Sequence, residues 1–243
     1  MNKAEGLIII PAYNEENNIF QVIQGIREYS QGLDIIVIND GSEDGTGGIA
    51  SGMGEQVINH FFNIGYGGAL QTGYKYALAR EYKYVIQFDA DGQHDPRVIS
   101  TIRECLESGS CDIVIGSRFL EDIRDAGLFK GAAIRFFRLL IKFFTGERIT
   151  DPTSGLQGLN REVFEHFSKM GMFPEDYPDA DTLIYAIKKG YRVLEVPAKN
   201  IKRLSGKSMH KGIKCVYYVL KMIVSILVVV LRLKFEKKVM RYV

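Results

Sequence analysis

The chain has 243 residues, 46% of them hydrophobic, which suffices for one well-buried α/β domain and excludes a disordered protein. A formal net charge of +2 conceals segregation: residues 196–235 hold nine Lys or Arg and no acid, residues 126–146 hold four and none, and the remainder sums to −11. Basic charge interleaved with Leu, Ile, Val and Phe, and few polar groups able to read bases, points to an anionic membrane surface and away from nucleic acid.

Three cysteines, Cys105, Cys111 and Cys215, show no metal-type spacing and leave an odd thiol, which predicts a reducing compartment. Met1 to Glu5 is short and polar, with no leader before Leu7-Ile8-Ile9-Ile10, so the folded part is expected to face the cytoplasm.

Taken in order, short apolar strands alternate with helical stretches, the pattern of a parallel sheet covered on both faces. Gly6–Ile10 reads as a strand ending in Pro11-Ala12-Tyr13-Asn14-Glu15-Glu16-Asn17, and a helix follows over Ile19–Tyr29. Asp34–Ile38 reads as the second strand, with Asn39-Asp40-Gly41-Ser42 at its carboxyl end. A Gly-rich stretch to Gly54 holds a short helix, and then come a strand over Gln56–Asn59 and a helix over Gly67–Ala79. Tyr84-Val85-Ile86 is a buried strand whose end carries Gln87-Phe88-Asp89-Ala90-Asp91-Gly92-Gln93. A helix near Arg97–Leu106 and a strand over Asp112–Ile115 lead to Gly116-Ser117-Arg118.

The strand ends thus carry Asn14 and Glu15, Asp40, and Asp89 with Asp91, and in a parallel sheet such ends line one crevice. Two aspartates one residue apart, with Gly92 letting the chain turn, are hard oxygen ligands able to share Mg²⁺ or Mn²⁺ with nucleotide phosphates. Taken alone, the same pair reads as an acidic turn before the helix near Pro96. His94 reads as a surface turn residue rather than a ligand, because Mg²⁺ prefers oxygen.

Five segments in order, Pro11-Ala12-Tyr13-Asn14-Glu15-Glu16, Asn39-Asp40-Gly41-Ser42, Asn63-Ile64-Gly65-Tyr66-Gly67-Gly68-Ala69, Asp89-Ala90-Asp91-Gly92-Gln93 and Asp151-Pro152-Thr153-Ser154-Gly155, together resemble the family 2 glycosyltransferases with the GT-A fold. Within that family the likeness is to polyprenyl-phosphate glycosyltransferases of the dolichol-phosphate mannose synthase type, over roughly residues 6–210. The resemblance implies an α/β fold with a Rossmann-like, mostly parallel sheet, helices on both faces and amphipathic helices at a membrane interface. It also implies inverting transfer from a nucleoside diphosphate sugar, UDP-linked by preference, to a polyprenyl phosphate of the undecaprenyl type. That reaction belongs at the cytoplasmic face of the cell membrane, in cell-wall or surface-glycan synthesis.

The resemblance carries over residue by residue. It implies that Pro11, Tyr13, Glu15 and Asp40, with Asp89, surround the nucleotide, and that Asp89, Asp91 and Gln93 hold the metal. Asp151 falls near donor sugar and acceptor, and Asp179 and Asp181 form an acidic pair able to orient a sugar hydroxyl. Arg118, Arg135 and Arg203, with Ser208, fall at the acceptor phosphate, where Arg138 competes with Arg135. A plain turn at Asp40 and helix capping at Glu15, Asp179 and Asp181 are the structural alternatives. Gly65-Tyr66-Gly67-Gly68 reads as fold support with a minor nucleotide role. Lys207 and Met209 depart from the Glu and Lys that relatives often carry around the final serine.

An acceptor phosphate is already ionised near pH 7, so positioning by arginine forks matters more than a strong base. A transferase acting on a hydroxyl of a lipid-linked glycan, with Asp179 or Asp181 as base, is the alternative enzyme. A non-catalytic, nucleotide-sugar-binding membrane scaffold is the alternative outside enzymes. A nucleotidyltransferase ranks low, since no Gly-rich loop with Lys or Arg follows the first strand.

Gly127–Phe144 places Arg135, Arg138 and Lys142 on one stripe and apolar side chains elsewhere, which predicts a membrane-interface helix; a helix packed on the domain is the alternative. Cys215–Leu231 is apolar except for Lys221, and its charge-free part, Met222–Leu231, is far short of the ~20 residues of a span. An interfacial helix is expected, bound to anionic lipid or to a small membrane protein. Residues 1–210 are expected to form the catalytic domain and 211–243 a membrane-associated helix and tail.

Overall fold

The computed structural model describes residues 4–120, 128–201 and 213–239. Its centre is a seven-stranded sheet in the order β3-β2-β1-β4-β6-β5-β7. The strands are β1 (Gly6–Ala12), β2 (Asp34–Asn39), β3 (Gln56–Asn59), β4 (Tyr84–Gln87), β5 (Ile113–Ser117), β6 (Gln157–Asn160) and β7 (Val193–Pro197). The helices are α1 (Ile19–Tyr29), α2 (Thr46–Gly52), α3 (Tyr66–Ala79), α4 (Val98–Glu107), α5 (Leu128–Thr145), α6 (Arg161–Ser168), α7 (Ala180–Lys189) and α8 (Ile213–Val239).

Alternation within β1 builds the core on both faces at once. Leu7 and Ile9 join Ile36, Val85, Ile113 and Leu159 under α3, α5, α6 and α7, while Ile8 and Ile10 join Val37, Ile86 and Val114 under α1 and α4. Both β1 faces are therefore fully apolar, which is why the strand reads as an unbroken run.

All pairings are parallel except those of β6, which runs antiparallel to both β4 and β5. The reversal matters for the site. Strands β1, β2, β4 and β5 end at one edge of the sheet, and β6 begins there, so the segment around Asp151 meets the ends of β4 and β5. The sequence reading omitted β6, α6 and β7.

Helix α5 buries Ile134, Phe137 and Ile141 in the core and exposes Phe136, Leu139 and Phe143. Its inner side packs on the domain, the alternative considered for it, while its outer side is apolar and exposed. Helix α8 does the same against α7: Tyr218, Met222, Ile226 and Leu233 are buried, while Leu220, Val224, Leu227, Val228 and Leu231 are exposed. Among the described residues no helix is long and apolar enough to cross a membrane.

Candidate active site

The loops after β1 and β2 are zipped together by polar contacts. Asn14 N–H donates to Ser42 Oγ at 3.0 Å, Glu43 N–H to Asn14 Oδ1 at 2.9 Å, and Glu15 N–H to Thr46 Oγ1 at 2.8 Å. Asn14 adopts φ 54°, a left-handed conformation that asparagine tolerates better than most residues. Pro11 is buried, the Tyr13 ring is exposed at this edge, and Glu15 accepts from Asn18 Nδ2 at 2.5 Å.

Asp40 is turned toward its own chain. Its carboxylate accepts from Ile64 N–H and Gly65 N–H, both at 3.0 Å, and contacts His60 Nδ1 at 2.7 Å, and the residue is 3% exposed. Its geometry fixes the loop ahead of α3. Gly65 and Gly67 are explained by packing, since a Cβ on Gly67 would lie 1.9 Å from the Pro174 carbonyl oxygen.

Beyond β4, Asp89 is held from two sides. Tyr66 Oη donates to Oδ1 at 2.8 Å, and His94 Nε2 contacts Oδ2 at 3.0 Å. Burial raises the Asp89 carboxyl, but the contacts from His94 and Tyr66 and the charge of Arg118 outweigh it, so the group lies below the usual carboxylate range. His94 is 4% exposed and packs edge-on against Phe88, which overturns its reading as a surface turn residue: the aromatic contact and the Asp89 partner draw it inward. Asp91 Oδ1 accepts from Gln93 N–H at 3.0 Å, a tight turn that keeps both carboxylates at the strand end.

The donor set fits a hard divalent cation. Among the described residues no three His, Cys, Asp or Glu side chains cluster to hold a metal unaided, and Asp89, Asp91 and Gln93 suit an ion completed by water and phosphate oxygens. Space is kept for it by Gly155, where a Cβ would lie 2.4 Å from Asp89 Oδ2 and 2.6 Å from Oδ1.

Beside this lies a buried ion pair. Arg118 donates from Nε to Asp151 Oδ2 at 2.7 Å and from Nη2 to Oδ1 at 2.8 Å, while its backbone N–H reaches Oδ2 at 3.0 Å. Asp151 is 0% exposed, yet the Arg118 contacts outweigh burial and lower its pKa. Glu195 on β7 holds the segment by accepting from Thr150 N–H at 2.7 Å and Asp151 N–H at 2.9 Å.

Phe119 lies between two guanidinium groups, Arg118 at 5.4 Å and Arg138 at 5.3 Å from its ring centre. Arg138 Nε is buried with no hydrogen-bond partner among the described residues, and burial lowers the Arg138 pKa. Arg135, one turn back on the same stripe of α5, is exposed, and of the two candidates Arg138 is the one that meets the Phe119 ring beside Arg118. Arg203 and Ser208 lie outside the described residues.

The acidic pair opens α7. Burial pushes Asp179 up to about 7 against a hydrogen bond from Tyr218 Oη at 2.6 Å, and burial also raises Asp181. Asp181 Oδ1 accepts from Thr182 N–H at 2.8 Å and Asp179 N–H at 3.1 Å, and its Oδ2 accepts from Ser225 Oγ. Sequence reasoning missed Tyr66, Phe119, Glu195, Tyr218 and Ser225. Tyr66 stood inside a motif, and Phe119 directly follows Gly116-Ser117-Arg118.

The model of glycosyl transferase family 2 matches residues 7–167. The chain belongs to that family. Its motif-based class, a glycosyltransferase of GT-A fold, agrees with the family match and with the fold of the solved structures. This family 2 chain is 33% identical over 205 residues to an uncharacterized protein of Methanocaldococcus jannaschii, covering 83% of each. It is 29% identical over 215 residues to polyprenol monophosphomannose synthase of Mycolicibacterium smegmatis, covering 85% of this chain and 81% of the relative. Among solved structures, glucosyl-3-phosphoglycerate synthase of Mycobacterium tuberculosis, in complex with Mn²⁺, uridine diphosphate and glucosyl-3-phosphoglycerate, superposes with a TM-score of 0.66 at 17% identity, covering 92% of this family 2 chain and 79% of that one.

Proposed function

We propose that this family 2 enzyme transfers one sugar, with inversion, from a nucleoside diphosphate sugar to the phosphate of a polyprenyl phosphate at the cytoplasmic membrane surface. The observation that carries the reading is the pair of arginines around Phe119, one of them with a buried, unpartnered Nε, beside Asp151 and Asp89. Asp151 already balances Arg118, whereas the half-buried Arg138 has an unpartnered Nε and no acid bonded to it among the described residues, and guanidinium suits phosphate. The name of the mycobacterial relative supports the lipid phosphate.

In this reading an acceptor phosphate oxygen attacks the anomeric carbon as the bond to the nucleoside diphosphate breaks, and single displacement inverts the centre. Arg118 and Arg138 orient the acceptor, Asp151 fixes Arg118, and Asp179, braced by Asp181, orients a sugar hydroxyl. Mg²⁺ or Mn²⁺, held by Asp89 and Asp91 with Gln93 beside them, would neutralise charge on the leaving diphosphate. Tyr13 and Glu15 border the nucleotide, and Pro11 and Asp40 shape its pocket. The apolar outer faces of α5 and α8 rest on anionic lipid.

The deciding experiment offers radiolabelled UDP- and GDP-sugars with a polyprenyl phosphate, with Mg²⁺ or Mn²⁺ and an EDTA control. Metal-dependent lipid product from one donor is expected, lost in Asp91→Asn. Donor turnover without lipid product would overturn the acceptor assignment.

A second reading, transfer to a hydroxyl of a lipid-linked glycan, is favoured by one observation. Asp179, pushed up to about 7, is poised as a general base that a phosphate acceptor does not need. Hydroxyl transfer lost in Asp179→Asn but retained in Arg138→Ala would select it.

A further inference from the structure

Helix α8 does more than cover α7. Tyr218 and Ser225, two turns apart on one face, each reach an acid of the pair that opens α7. The Tyr218 ring is set edge-on against Phe137 of α5 at 5.8 Å and against Tyr177 at 5.1 Å, so its hydroxyl has a fixed aim at Asp179 Oδ2. Ser225 acts at one remove: it binds Asp181, whose other oxygen accepts the backbone N–H of Asp179. Both contacts therefore converge on the placement of one carboxylate.

That carboxylate faces the centre of the site. Tyr218 from α8, Asp181 from α7, Arg118 after β5 and Asp151 before β6 all act on it, and it in turn acts on Tyr66 of α3 and on Tyr177. We infer that Tyr218 and Ser225 are positioning residues for the Asp179–Asp181 pair, so that the site is competent only while α8 is seated on α7. The inference rests on the glycosyl-transfer reading for its consequence and on geometry alone for the contact.

The test uses the full chain with Tyr218→Phe, Ser225→Ala and Ser225→Thr. The titration of Asp179 is followed through its ¹³C-carboxyl resonance, assigned with Asp179→Asn, and rates are measured from pH 5.5 to 9 with labelled donor sugar and polyprenyl phosphate. Loss of the Tyr218 donor removes a hydrogen bond to the ionised form, so the midpoint rises by roughly one unit and the rate at pH 7 falls about fivefold, recovering near pH 9. Ser225→Ala lowers kcat and Ser225→Thr restores it, since the hydroxyl is kept and the cleft of about 250 Å³ beside Ser225 accepts a methyl. An unmoved midpoint, or a loss equal at every pH, overturns the inference, as does a Thr variant as impaired as Ala. A wild-type chain that turns over no donor overturns the glycosyl-transfer reading instead, and the resonance then still decides whether Tyr218 holds Asp179.

Discussion

Arg118 and Asp151 form a two-pronged pair at 2.7 and 2.8 Å that joins the end of β5 to the segment before β6. Removing one partner strands the other as a buried charge. Arg118→Ala is expected to destabilise the fold by about 3–5 kcal/mol in urea denaturation, and Arg118→Lys by less, since it keeps the charge but not the fork. Full wild-type stability in Arg118→Ala would show that the pair is not a structural joint.

Asp89 owes its aim to Tyr66. Tyr66→Phe removes the 2.8 Å donor while keeping the ring, and the concentration of Mn²⁺ needed for half-maximal activity is expected to rise roughly 10–100-fold. A titration of donor turnover against Mn²⁺ checks this, with maximal rate changing less than the half-saturation point.

Gly155→Ala tests the space over Asp89. The added Cβ would meet a carboxylate oxygen at 2.4 Å, so cation-dependent nucleotide binding is expected to be lost while circular dichroism keeps the native α/β spectrum. Calorimetry with uridine or guanosine diphosphate and Mn²⁺ reads the loss; unchanged binding would place the cation elsewhere.

Asp179 makes stability depend on pH. Its pKa is raised from 3.8 to about 7, so the fold prefers the protonated form. The associated stability is fully present below pH 3.8 and is lost as pH climbs through 7, by roughly 4 kcal/mol at most. Asp179→Asn is expected to abolish this component and to be more stable than wild type at pH 8.5. Parallel curves for the two proteins across pH 4 to 8.5 would refute it.

Phe143 on α5 is 80% exposed and Leu227 on α8 is exposed as well. Glu at both positions is expected to reduce sedimentation with anionic vesicles at least tenfold while shifting stability by under about 0.5 kcal/mol. Unaltered sedimentation would remove these faces from any membrane contact.

Much of the architecture was readable because β1, β2 and β4 are buried on both faces and end in acids. Strand β6 was not, since its Gly158 breaks any apolar run; a Cβ there would lie 2.4 Å from Ile102 of α4, so helix packing rather than strand propensity chose the residue. Arg138 could have been preferred over Arg135 from spacing. It stands one turn from both Ile134 and Ile141, at the margin of the buried stripe. His94 was misjudged because the motif gives its ligand chemistry but not its contact with Phe88. Tyr218 and Ser225 were hidden in a run whose dominant signal is hydrophobicity, and their partners lie far upstream.

The reversed strand β6 also sets an order of events during synthesis. Strands β1 to β4 can pair once residue 87 has left the ribosome, but β4 keeps a bare edge until Gln157–Asn160 arrives to fill it and bridge to β5. A nascent chain halted in between carries Asp89 and Asp91 on a half-sheet with an open, aggregation-prone flank. Translation speed across residues 88–156 should therefore govern the yield of soluble enzyme more strongly than speed anywhere upstream.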